Sequence, residues 1–430
     1  MNVQLHRVLR SPVLIALVAL ALRLGVMGYK HTYEFSPWRD HFTFGYEMGR
    51  IARSIALGHG FSSPYHVPTG PTALVPPVYP YLLAGVFKLF GIYTVTSALV
   101  ILSLNSVFSA LTCVTIFFIG QKAFGPTVGV WAAWTWALFP DAWFWSTKWI
   151  WETTLSALLL SLVFLLTLHL ERSTRTTAWL GLGLLWGIAA LTNPALLSFL
   201  PISLGWIWYR QRQQGMRCAR QIGVAALACV FSLTPWLMRN YLTFGHFIFI
   251  RDGFGLQLYL GNWEGSYPAR DDYEMERYRR LGELAYMAEK QHEALHFIAG
   301  HPGTFTSLTL KRFVSFWAGT WQLTYINWFP GQFIVAKFAF FTSVSVLAFL
   351  GLYLAVGNRK AEALPFAILL VVFPATYYLT QVNSRYRHSI EPEMVVLAVY
   401  AAASIPPRLR CKLRRGQGRF GFLALTAGFS

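Results

Sequence analysis

The chain has 430 residues, of which 55% are hydrophobic and only 13% charged, and 36 Lys+Arg against 18 Asp+Glu give a formal net charge of +18. A soluble domain carries about 25% charged residues, so this composition excludes an ordinary soluble enzyme, a disordered chain and a fibrous repeat, and it argues against a nucleic-acid-binding groove. A membrane protein remains, and its basic residues should collect on one side of the bilayer.

Apolar runs predict membrane-spanning helices along the chain. A helix needs about 20 apolar residues to cross the hydrocarbon core, and ten runs meet or approach that length. The run 78–90 is also apolar, but it is too short for a crossing and suits an interfacial or re-entrant helix. The first run lacks a small-residue cleavage site, so we interpret it as a retained span rather than a signal peptide. The ten predicted spans are 11–29, 96–120, 127–145, 150–170, 176–192, 195–209, 221–238, 335–356, 361–379 and 389–404.

Basic residues occur in every second connection between these spans, which sets the predicted orientation. By the positive-inside rule such connections are cytoplasmic, and both termini are then cytoplasmic as well. The segments 30–95 and 239–334 lie on the opposite, extracytoplasmic face. The predicted fold class is an all-α polytopic membrane protein, with one transmembrane domain over 1–404 and a basic cytoplasmic tail over 405–430. Apart from those of the tail, the basic residues of the predicted cytoplasmic segments are Arg7, Arg10, Lys122, Arg172, Arg175, Arg210, Arg212, Arg217, Arg220, Arg359 and Lys360.

The positions of cysteines and the absence of glycosylation sequons indicate the compartment. None of the four cysteines lies in a predicted extracytoplasmic segment, so no disulfide is expected there. The chain also contains no Asn-x-Ser/Thr sequence. Both observations fit a multi-pass protein of a bacterial inner membrane.

The first long extracytoplasmic segment carries two candidate carboxylates. A helix is predicted from about Thr43 to Leu57, ended by the glycines that follow. Asp40 and Glu47 share a face of this helix if it begins early. A solvated loop helix with ordinary pairing between Glu47 and Arg50 explains the same pattern.

Another carboxylate, Glu152, is predicted at the outer mouth of the fourth span, after Lys148 and within a tryptophan-rich stretch. A carboxylate near a span is usually paired or functional, although tryptophans alone also form interfacial belts. Arginines gather at the same lip of the bilayer, where guanidinium groups bind phosphate or diphosphate bidentately. Contact with a lipid headgroup is the alternative for each of them. These arginines and their polar neighbours are Arg39, Arg239, Asn240, Asn262, Arg385 and Arg387.

The sequence His292-Glu293-Ala294-Leu295-His296 matches the HExxH pattern of zinc proteases, in which two histidines on one helix face bind the metal. Those enzymes need a third ligand, commonly a downstream carboxylate, but no Asp or Glu occurs between Phe297 and Ala361. The charged residues around the motif fit a solvated amphipathic helix. A membrane metalloprotease is therefore a minor alternative, and we predict no metal ligands.

Several short motifs follow one another in a fixed order along residues 11–404. They are Ala52 with Gly58-His59-Gly60-Phe61, Pro76-Pro77-Val78-Tyr79-Pro80, Pro140 with Ser146 and Glu152, Leu191-Thr192-Asn193-Pro194, Pro235-Trp236 with Arg239-Asn240, Gly261-Asn262, His301-Pro302, and Arg385-Tyr386-Arg387 with Ile390-Glu391-Pro392. Their order and predicted topology resemble bacterial GT-C glycosyltransferases. More narrowly, they resemble the superfamily of protein mannosyltransferases and aminoarabinose transferases, which uses polyprenyl-phosphate sugars.

This resemblance implies a GT-C-like fold of about ten transmembrane helices with two long extracytoplasmic segments. It also implies sugar transfer, with inversion, from a polyprenyl-phosphate donor to a lipid, glycan or protein acceptor outside the cytoplasm. A carboxylate takes the proton of the acceptor hydroxyl, and cations stabilise the departing lipid phosphate. No cofactor is required with certainty, a divalent cation is left open, and no nucleic acid is expected.

The site residues implied by the resemblance include one departure from the family pattern. The family's first-loop carboxylate falls at Phe44, so the implied catalytic base is Asp40 or Glu47, one turn to either side. The implied substrate-binding residues are Arg39, Tyr79, Lys148, Glu152, Arg239, Asn240, Asn262, Arg385 and Arg387.

Two other classes explain part of the pattern. A transporter or flippase for lipid-linked glycans keeps its ionisable residues near the middle of the bilayer, whereas here most lie at span ends and in outer segments. A non-enzymatic scaffold does not readily explain carboxylates and arginines gathered on one face. Liposome transport without sugar transfer would favour the transporter.

The HExxH interpretation leads to a test of metal content. Purified protein should contain no stoichiometric zinc, and His292→Ala should leave the metal content unchanged, because the third ligand is missing. Elemental analysis by inductively coupled plasma mass spectrometry measures both. One zinc per chain that disappears in His292→Ala would overturn the amphipathic-helix interpretation.

Overall fold

The computed structural model describes residues 9–36, 41, 43–262, 271–319 and 332–404. Within these ranges the regular structure is helical, and the one β-bridge joins Ser62 and Pro71. The prediction of an all-α fold is therefore confirmed. The predicted site residues Arg39 and Asp40 and the tail 405–430 lie outside the described residues.

Prolines in the first turn begin many of the helices, because the N–H that proline lacks would be unbonded there anyway. Pro12, Pro126 and Pro302 are examples. Two short 3₁₀ helices, Leu170–Arg172 and Pro194–Phe199, extend the α-helices beside them. The α-helices are α1 Pro12–Lys30, α2 Glu47–Ala56, α3 Val78–Phe90, α4 Val95–Phe124, α5 Pro126–Ala137, α6 Pro140–Lys148, α7 Thr153–His169, α8 Thr176–Thr192, α9 Leu200–Gln213, α10 Ala219–Phe244, α11 Phe254–Asn262, α12 Asp272–Leu281, α13 Glu283–Gly300, α14 Pro302–Ala318, α15 Gln332–Gly357, α16 Ala363–Leu379, α17 Ser384–His388 and α18 Glu391–Ser404.

Apolar helices of membrane-spanning length identify a multi-pass membrane protein. Three shorter apolar helices, α3, α8 and α16, accompany those of full length. The helix α3 coincides with the short run predicted as interfacial or re-entrant. The total of ten spans stays a prediction. Five helices within the described residues are long and apolar enough to cross a membrane: Pro12–Lys30, Val95–Phe124, Thr153–Arg172, Ala219–Phe244 and Val335–Gly357.

One predicted span is not continuous. The run 127–145 forms two helices, α5 and α6, which are separated at Leu138 and Phe139. The cause is Pro140, because a proline disfavours helical backbone in the residue before it and cannot donate a backbone hydrogen bond. Phe139 accordingly has extended backbone, with φ −70° and ψ 118°. The chain turns at this point, and α6 leads into the tryptophan-rich stretch before Glu152.

The helix of the first long segment begins later than predicted. α2 starts at Glu47, while residues 43–46 form a turn. Tyr46 has a φ of 56°, so the helix does not continue backwards through it. The helix therefore does not extend from Glu47 back towards position 40, and Asp40 itself lies outside the described residues. Leu57, just after the last residue of α2, precedes the predicted terminating glycines.

The long helix α4 lies at the centre of the bundle and packs against α1, α3, α5, α6 and α7. Buried Arg23 of α1 joins this centre to α5. Its Nε donates to Ser109 Oγ at 3.1 Å, and its terminal nitrogens donate to the carbonyl oxygens of Ala137 and Trp136, both at 3.2 Å. These carbonyl groups belong to the last turn of α5 and lack partners within that helix. The apolar helix α1 thus accommodates the charged Arg23 because the guanidinium donors make hydrogen bonds within the bundle.

Glycines allow α8 and α10 to approach closely. A Cβ atom added at Gly183 would lie 2.2 Å from the carbonyl oxygen of Ala225, and one added at Gly187 would lie 2.3 Å from Ser232 Cβ. The Ala225 oxygen is a backbone atom and Ser232 Cβ is bonded directly to the backbone, so neither atom can move without a shift of α10. Gly181, on the same helix, has no heavy atom within 4 Å of such a Cβ.

This packing predicts opposite effects for two neighbouring substitutions. Gly183→Ala should destabilise the protein by about 1–3 kcal/mol because the added methyl group forces α8 and α10 apart. Gly181→Ala should be neutral or stabilising by up to about 1 kcal/mol because alanine favours the helix and meets no neighbour. Thermal unfolding in detergent measures both, and equal melting temperatures for the two variants would contradict the helix contact described here.

Candidate active site

A polar and aromatic group surrounds Glu152, which immediately precedes α7. We call it the Glu152 cluster. Oε2 of this half-buried carboxylate is itself buried and has no hydrogen-bond partner among the described residues. A buried acceptor without a partner is costly, so a bound water or ligand that donates to this oxygen would be stabilising. The members of the Glu152 cluster are Glu47, Tyr79, Trp149, Trp151, Glu152, Arg385 and Tyr386.

Arg385 is the cation of the Glu152 cluster. Its Nη2 donates to the hydroxyl of Tyr386 at 3.1 Å, and its guanidinium lies 4.4 Å from the ring centre of Trp151. Burial alone lowers the pKa of Arg385, but Tyr386, Glu152 and Glu47 outweigh it, so the pKa is raised. The charges of two carboxylates therefore act on one guanidinium, which brings Glu47, Glu152 and Arg385 to a shared region.

A strained turn carries Glu47 to this region. Gly45 and Tyr46 both have positive φ, at 101° and 56°, and such backbone in a non-glycine residue is typical of functional sites. A Cβ at Gly45 would lie 3.0 Å from the carbonyl oxygen of Ile150, so only glycine fits there without a shift. The ring of Tyr46 consequently lies 4.9 Å from that of Trp151. The first residue of α2 is thus held beside the stretch that carries Glu152.

Tyr79 reaches the same region through a polar residue of α4. Its hydroxyl exchanges hydrogen bonds with the side chain of Asn105 at 3.1 and 3.2 Å, and Asn105 Nδ2 also donates to the carbonyl oxygen of Trp149 at 3.2 Å. Burial and, to a smaller extent, the charge of Glu152 raise the pKa of Tyr79. The phenol therefore keeps its proton and remains a hydrogen-bond donor.

Sequence reasoning did not find Asn105 or Arg251 as functional candidates. Asn105 is a fully buried amide within an apolar helix, and that isolation is a signal that sequence alone offers. Arg251 is half-buried, makes no side-chain hydrogen bond within the described part of the chain, and acts electrostatically with Glu152 on the phenol of Tyr377. It follows Ile250, a β-branched residue with φ 63°. No local sequence pattern marks that strain.

Arg239 and Asn240 lie in backbone contacts rather than in the Glu152 cluster. Arg239 donates to the carbonyl oxygens of Thr72 at 2.7 Å and Phe61 at 2.8 Å. Asn240 is fully buried, and its Nδ2 donates to the carbonyl oxygen of Ile250 at 3.4 Å. Both residues therefore hold the backbone of neighbouring loops against the end of α10 by hydrogen bonds.

Asn262 and Arg387 are also used within the fold. Asn262 Oδ1 accepts from Arg312 Nη2 at 2.6 Å. Arg387 is fully buried and donates to the carbonyl oxygens of Trp317 at 2.8 Å and Phe341 at 3.2 Å. The two arginines of the Arg385-Tyr386-Arg387 motif therefore have different surroundings, and only Arg385 belongs to the Glu152 cluster.

Lys148 and Phe44 lie outside the Glu152 cluster as well. Lys148 ends α6 in an exposed position, with Nζ 5.8 Å from the ring centre of Phe144. Phe44, where the family pattern has its carboxylate, is buried against the rings of Phe87 and Tyr93 at 6.0 and 5.2 Å. This aromatic packing leaves no place for a carboxylate at position 44.

Asp141, His388 and Glu391 are the three-residue group, within the part of the chain that the structure describes, whose ligand atoms lie close enough to hold a metal. His388 Nδ1 lies 2.8 Å from Glu391 Oε2 and 3.7 Å from Asp141 Oδ2. Burial lowers the pKa of His388, but the two carboxylates outweigh it and the pKa is raised. Burial likewise opposes ionisation of Asp141, yet the hydrogen bond and charge of His388 lower its pKa.

This charge arrangement does not fit a divalent cation. Arg387 Nε lies 3.3 Å from Glu391 Oε1 and Lys337 acts electrostatically on Asp141, so cationic side chains already interact with both carboxylates. We therefore assign this group to the interior of the fold and derive no chemistry from a bound metal.

The HExxH segment lies within the helix α13. His292 and His296 are exposed, and Glu293, the residue a zinc protease would use as base, lies 3.2 Å from Lys290 Nζ and 3.6 Å from Arg277 Nη2. Its carboxylate is thus engaged in ion pairs on the helix surface.

A buried carboxylate links the two long segments beside this region. Glu283, at the start of α13, accepts hydrogen bonds from Thr72 Oγ1, from the backbone N–H of Ala73 at 2.6 Å and from the Tyr278 hydroxyl at 2.6 Å. Burial raises its pKa from 4.5 to about 7, although those hydrogen bonds oppose the rise, and the charge of Asp252 adds to it. We call this contact the Glu283 latch.

Comparison with protein families identifies one related group. The family model of dolichyl-phosphate-mannose-protein mannosyltransferases matches residues 74–238, a range that includes Tyr79 and Glu152 but not Glu47 or Arg385. Among curated proteins no match is found. The match confirms the resemblance drawn from the motifs.

Solved structures with a similar fold come from the oligosaccharyltransferase of Archaeoglobus fulgidus. Its apo form has a TM-score of 0.53 at 14% identity, over 97% of this chain and 54% of that chain. Its complex with Zn and sulfate has a TM-score of 0.53 at 14% identity, over 97% and 51%. ArnT from Cupriavidus metallidurans, bound to undecaprenyl phosphate, has a TM-score of 0.39 at 14% identity, over 91% and 77%. The chain spans about half the length of the archaeal structures, and their likeness to it confirms the GT-C-like fold.

The Glu283 latch predicts a pH dependence of stability. Because the pKa of Glu283 is higher in the folded than in the unfolded protein, its contribution is complete below about pH 4.5 and is lost as the pH rises through about 7. The shift corresponds to roughly 3 kcal/mol. Asp252, whose pKa burial raises to about 6, adds to the same slope. Glu283→Gln should remove the larger part of it.

Thermal unfolding in detergent between pH 4.5 and 8 tests this prediction. Glu276→Gln is the matched control because Glu276 is an exposed carboxylate of the neighbouring helix α12. The control should keep the wild-type slope. A Glu283→Gln variant with the same slope as wild type would rule out titration of the latch.

Proposed function

We propose that the protein is a membrane glycosyltransferase that moves a sugar from a polyprenyl-phosphate donor to a lipid, glycan or protein acceptor, with inversion. The observation that carries this proposal is the shared region of Glu47, Glu152 and Arg385, where one carboxylate oxygen is buried without a partner. A proton acceptor and an anion-binding cation side by side are what transfer from a sugar phosphate requires. The matched family and the fold support the same reaction class.

In this reaction the acceptor hydroxyl attacks the anomeric carbon and gives its proton to a carboxylate. The bond between the anomeric carbon and the phosphate oxygen breaks, and its electron pair leaves with the lipid phosphate. Asp40 and Glu47 are the candidate bases, and Glu47 is supported by the strained turn that brings α2 beside Glu152. Glu152 is the second carboxylate of the region and is suited to hold the acceptor or the sugar hydroxyl groups.

The departing phosphate needs cations that are not already neutralised within the protein. Glu152 and Glu47 act electrostatically on Arg385, so its charge already interacts with carboxylates before substrate binds. Arg251 makes no side-chain hydrogen bond to any described residue, and its near charge is Asp252, whose pKa burial raises to about 6. We therefore assign phosphate binding to both guanidinium groups, with Arg251 as the less compensated one. Arg39 stays a prediction of the resemblance.

Aromatic rings of the Glu152 cluster are suited to a sugar ring. Trp149 and Trp151 stack with centroids 4.9 Å apart and an interplanar angle of 14°, and both are partly accessible. Tyr79 adds a phenol donor held by Asn105. Flat apolar faces with hydroxyl donors at their edge bind the C–H and O–H faces of a sugar together.

The membrane arrangement completes the proposal. Residues 1–404 form one transmembrane domain, both termini are cytoplasmic, and the Glu152 cluster faces the extracytoplasmic side of a bacterial inner membrane. Alternation of basic connections supports this orientation, and the cluster is built from the connections on the opposite face.

Carboxylate variants test the proposed reaction. Loss of the base should lower transfer of labelled sugar from a polyprenyl-phosphate donor about 10²–10⁴-fold, so either Glu47→Gln or Asp40→Asn should show that loss, and Glu152→Gln should also reduce transfer. The assay uses protein purified in detergent with each candidate acceptor.

Glu276→Gln serves as the control here too, because it removes an exposed carboxylate that does not belong to the Glu152 cluster. Full transfer by both Asp40→Asn and Glu47→Gln would refute the assignment of the base. Absence of transfer by the wild type with every donor and acceptor, combined with transport of lipid-linked glycan into liposomes, would favour a transporter instead.

A further inference from the structure

The short helix α17 carries two arginines that face different surroundings. Arg385 belongs to the Glu152 cluster, whereas Arg387 and the adjacent His388 are almost wholly buried. Asn383 caps the helix by accepting from the backbone N–H of Arg385 at 3.1 Å. A helix of this length cannot hold its own direction through internal hydrogen bonds. The contacts of its buried residues therefore decide where Arg385 points.

His388 connects α17 to three neighbouring helices. Its Nδ1 lies 2.8 Å from Glu391 Oε2 of α18 and 3.7 Å from Asp141 Oδ2 of α6. The imidazole also stacks on the ring of Trp136 at the end of α5, with centroids 5.3 Å apart and an interplanar angle of 25°. Three helices thus converge on one buried side chain.

These contacts close a ring that returns to Arg385. Asp141 Oδ2 accepts from Trp145 Nε1 at 2.8 Å, and the Trp145 ring stacks on Trp151 with centroids 5.7 Å apart. Trp151 in turn lies under the guanidinium of Arg385 at 4.4 Å. Arg385 and His388 are three residues apart on α17. Moving His388 would consequently shift the cation relative to the aromatic ring on which it lies.

Charges around His388 hold it in this place. Arg387 Nε lies 3.3 Å from Glu391 Oε1, and Lys337 of α15 acts electrostatically on Asp141. Each carboxylate therefore interacts with one further cation besides the imidazole. This arrangement favours a fixed ion cluster over a vacant binding site.

We propose that His388 is a positioning residue for glycosyl transfer: held between Asp141 and Glu391, it fixes the direction of α17 and so places Arg385 against Trp151 and Glu152. The assignment rests on the proposed function, but its structural part concerns α17 alone. His388 touches none of the reacting groups and acts only through Arg385.

A double-mutant cycle tests this mechanism. His388→Gln should lower kcat/KM for sugar transfer about 10–100-fold because a small displacement of a catalytic cation has effects of this size. Arg385→Ala should lower it at least as far. If His388 acts through Arg385, the double variant should lose no more than Arg385→Ala alone.

Glu393→Gln is the matched control for the cycle. Glu393 lies in the same helix as Glu391, is fully buried and accepts from Ser161 Oγ at 2.8 Å, so it is a comparable buried carboxylate outside the ring of contacts. The fold-losses of kcat/KM caused by Glu393→Gln and by Arg385→Ala should multiply when the two substitutions are combined. Multiplicative effects for His388→Gln as well would overturn the proposal, and so would a stoichiometric metal ion lost in that variant.

Hydrogen–deuterium exchange gives a measurement that does not depend on activity. His388→Gln should increase exchange over residues 384–390, whereas Glu393→Gln should leave that peptide as in the wild type. Asp141→Asn provides a second variant if His388→Gln does not fold. Unchanged exchange over 384–390 in the folded variant would refute the positioning role. Absence of sugar transfer by the wild type, with the difference in exchange retained, would refute the proposed function alone.

Discussion

The carbonyl groups at the end of α5, which need donors from outside that helix, impose the constraint on which the candidate site depends. Inside an apolar bundle each such group costs about 1–3 kcal/mol unless a donor reaches it. Arg23, the Phe139 N–H and Trp143 Nε1 donate to two of them, so the chain can end one helix and begin another at Pro140 without leaving the bundle. α6 then carries Asp141 towards His388 and delivers the tryptophans that precede Glu152.

Charged side chains form two groups beside this break. In one group Glu47 and Glu152 share Arg385, and in the other Asp141 and Glu391 share His388 and Arg387. The five residues of α17 supply the cations of both. Because an unpaired buried charge is far more costly than a paired one, neither group can lose a member without disturbing the helix that serves the other.

The sequence predicts the fold class and the position of Glu152 because apolar runs, basic connections and a lone carboxylate at a span end have few interpretations. It does not separate the two arginines of Arg385-Tyr386-Arg387, since a guanidinium binds a carbonyl oxygen as readily as a phosphate and only tertiary contacts decide which. Arg239 and Arg387 donate to carbonyl groups for that reason. The break in the run 127–145 was within reach of sequence reasoning, because Pro140 marks it, whereas the partner that makes it tolerable, Arg23, is distant in sequence.

Aromatic packing is the physical reason for Phe44 at the position where the family pattern has a carboxylate. Phe44 fills an aromatic pocket with Phe87 and Tyr93, so the turn before α2 is anchored by apolar packing where the family pattern has a charge. Strain at Gly45 and Tyr46 follows, because the chain must leave that pocket and still approach Ile150. The anchored turn ends at Glu47, and its charge reaches Arg385. A carboxylate displaced by three residues can thus serve the same region, provided that the turn before it remains rigid.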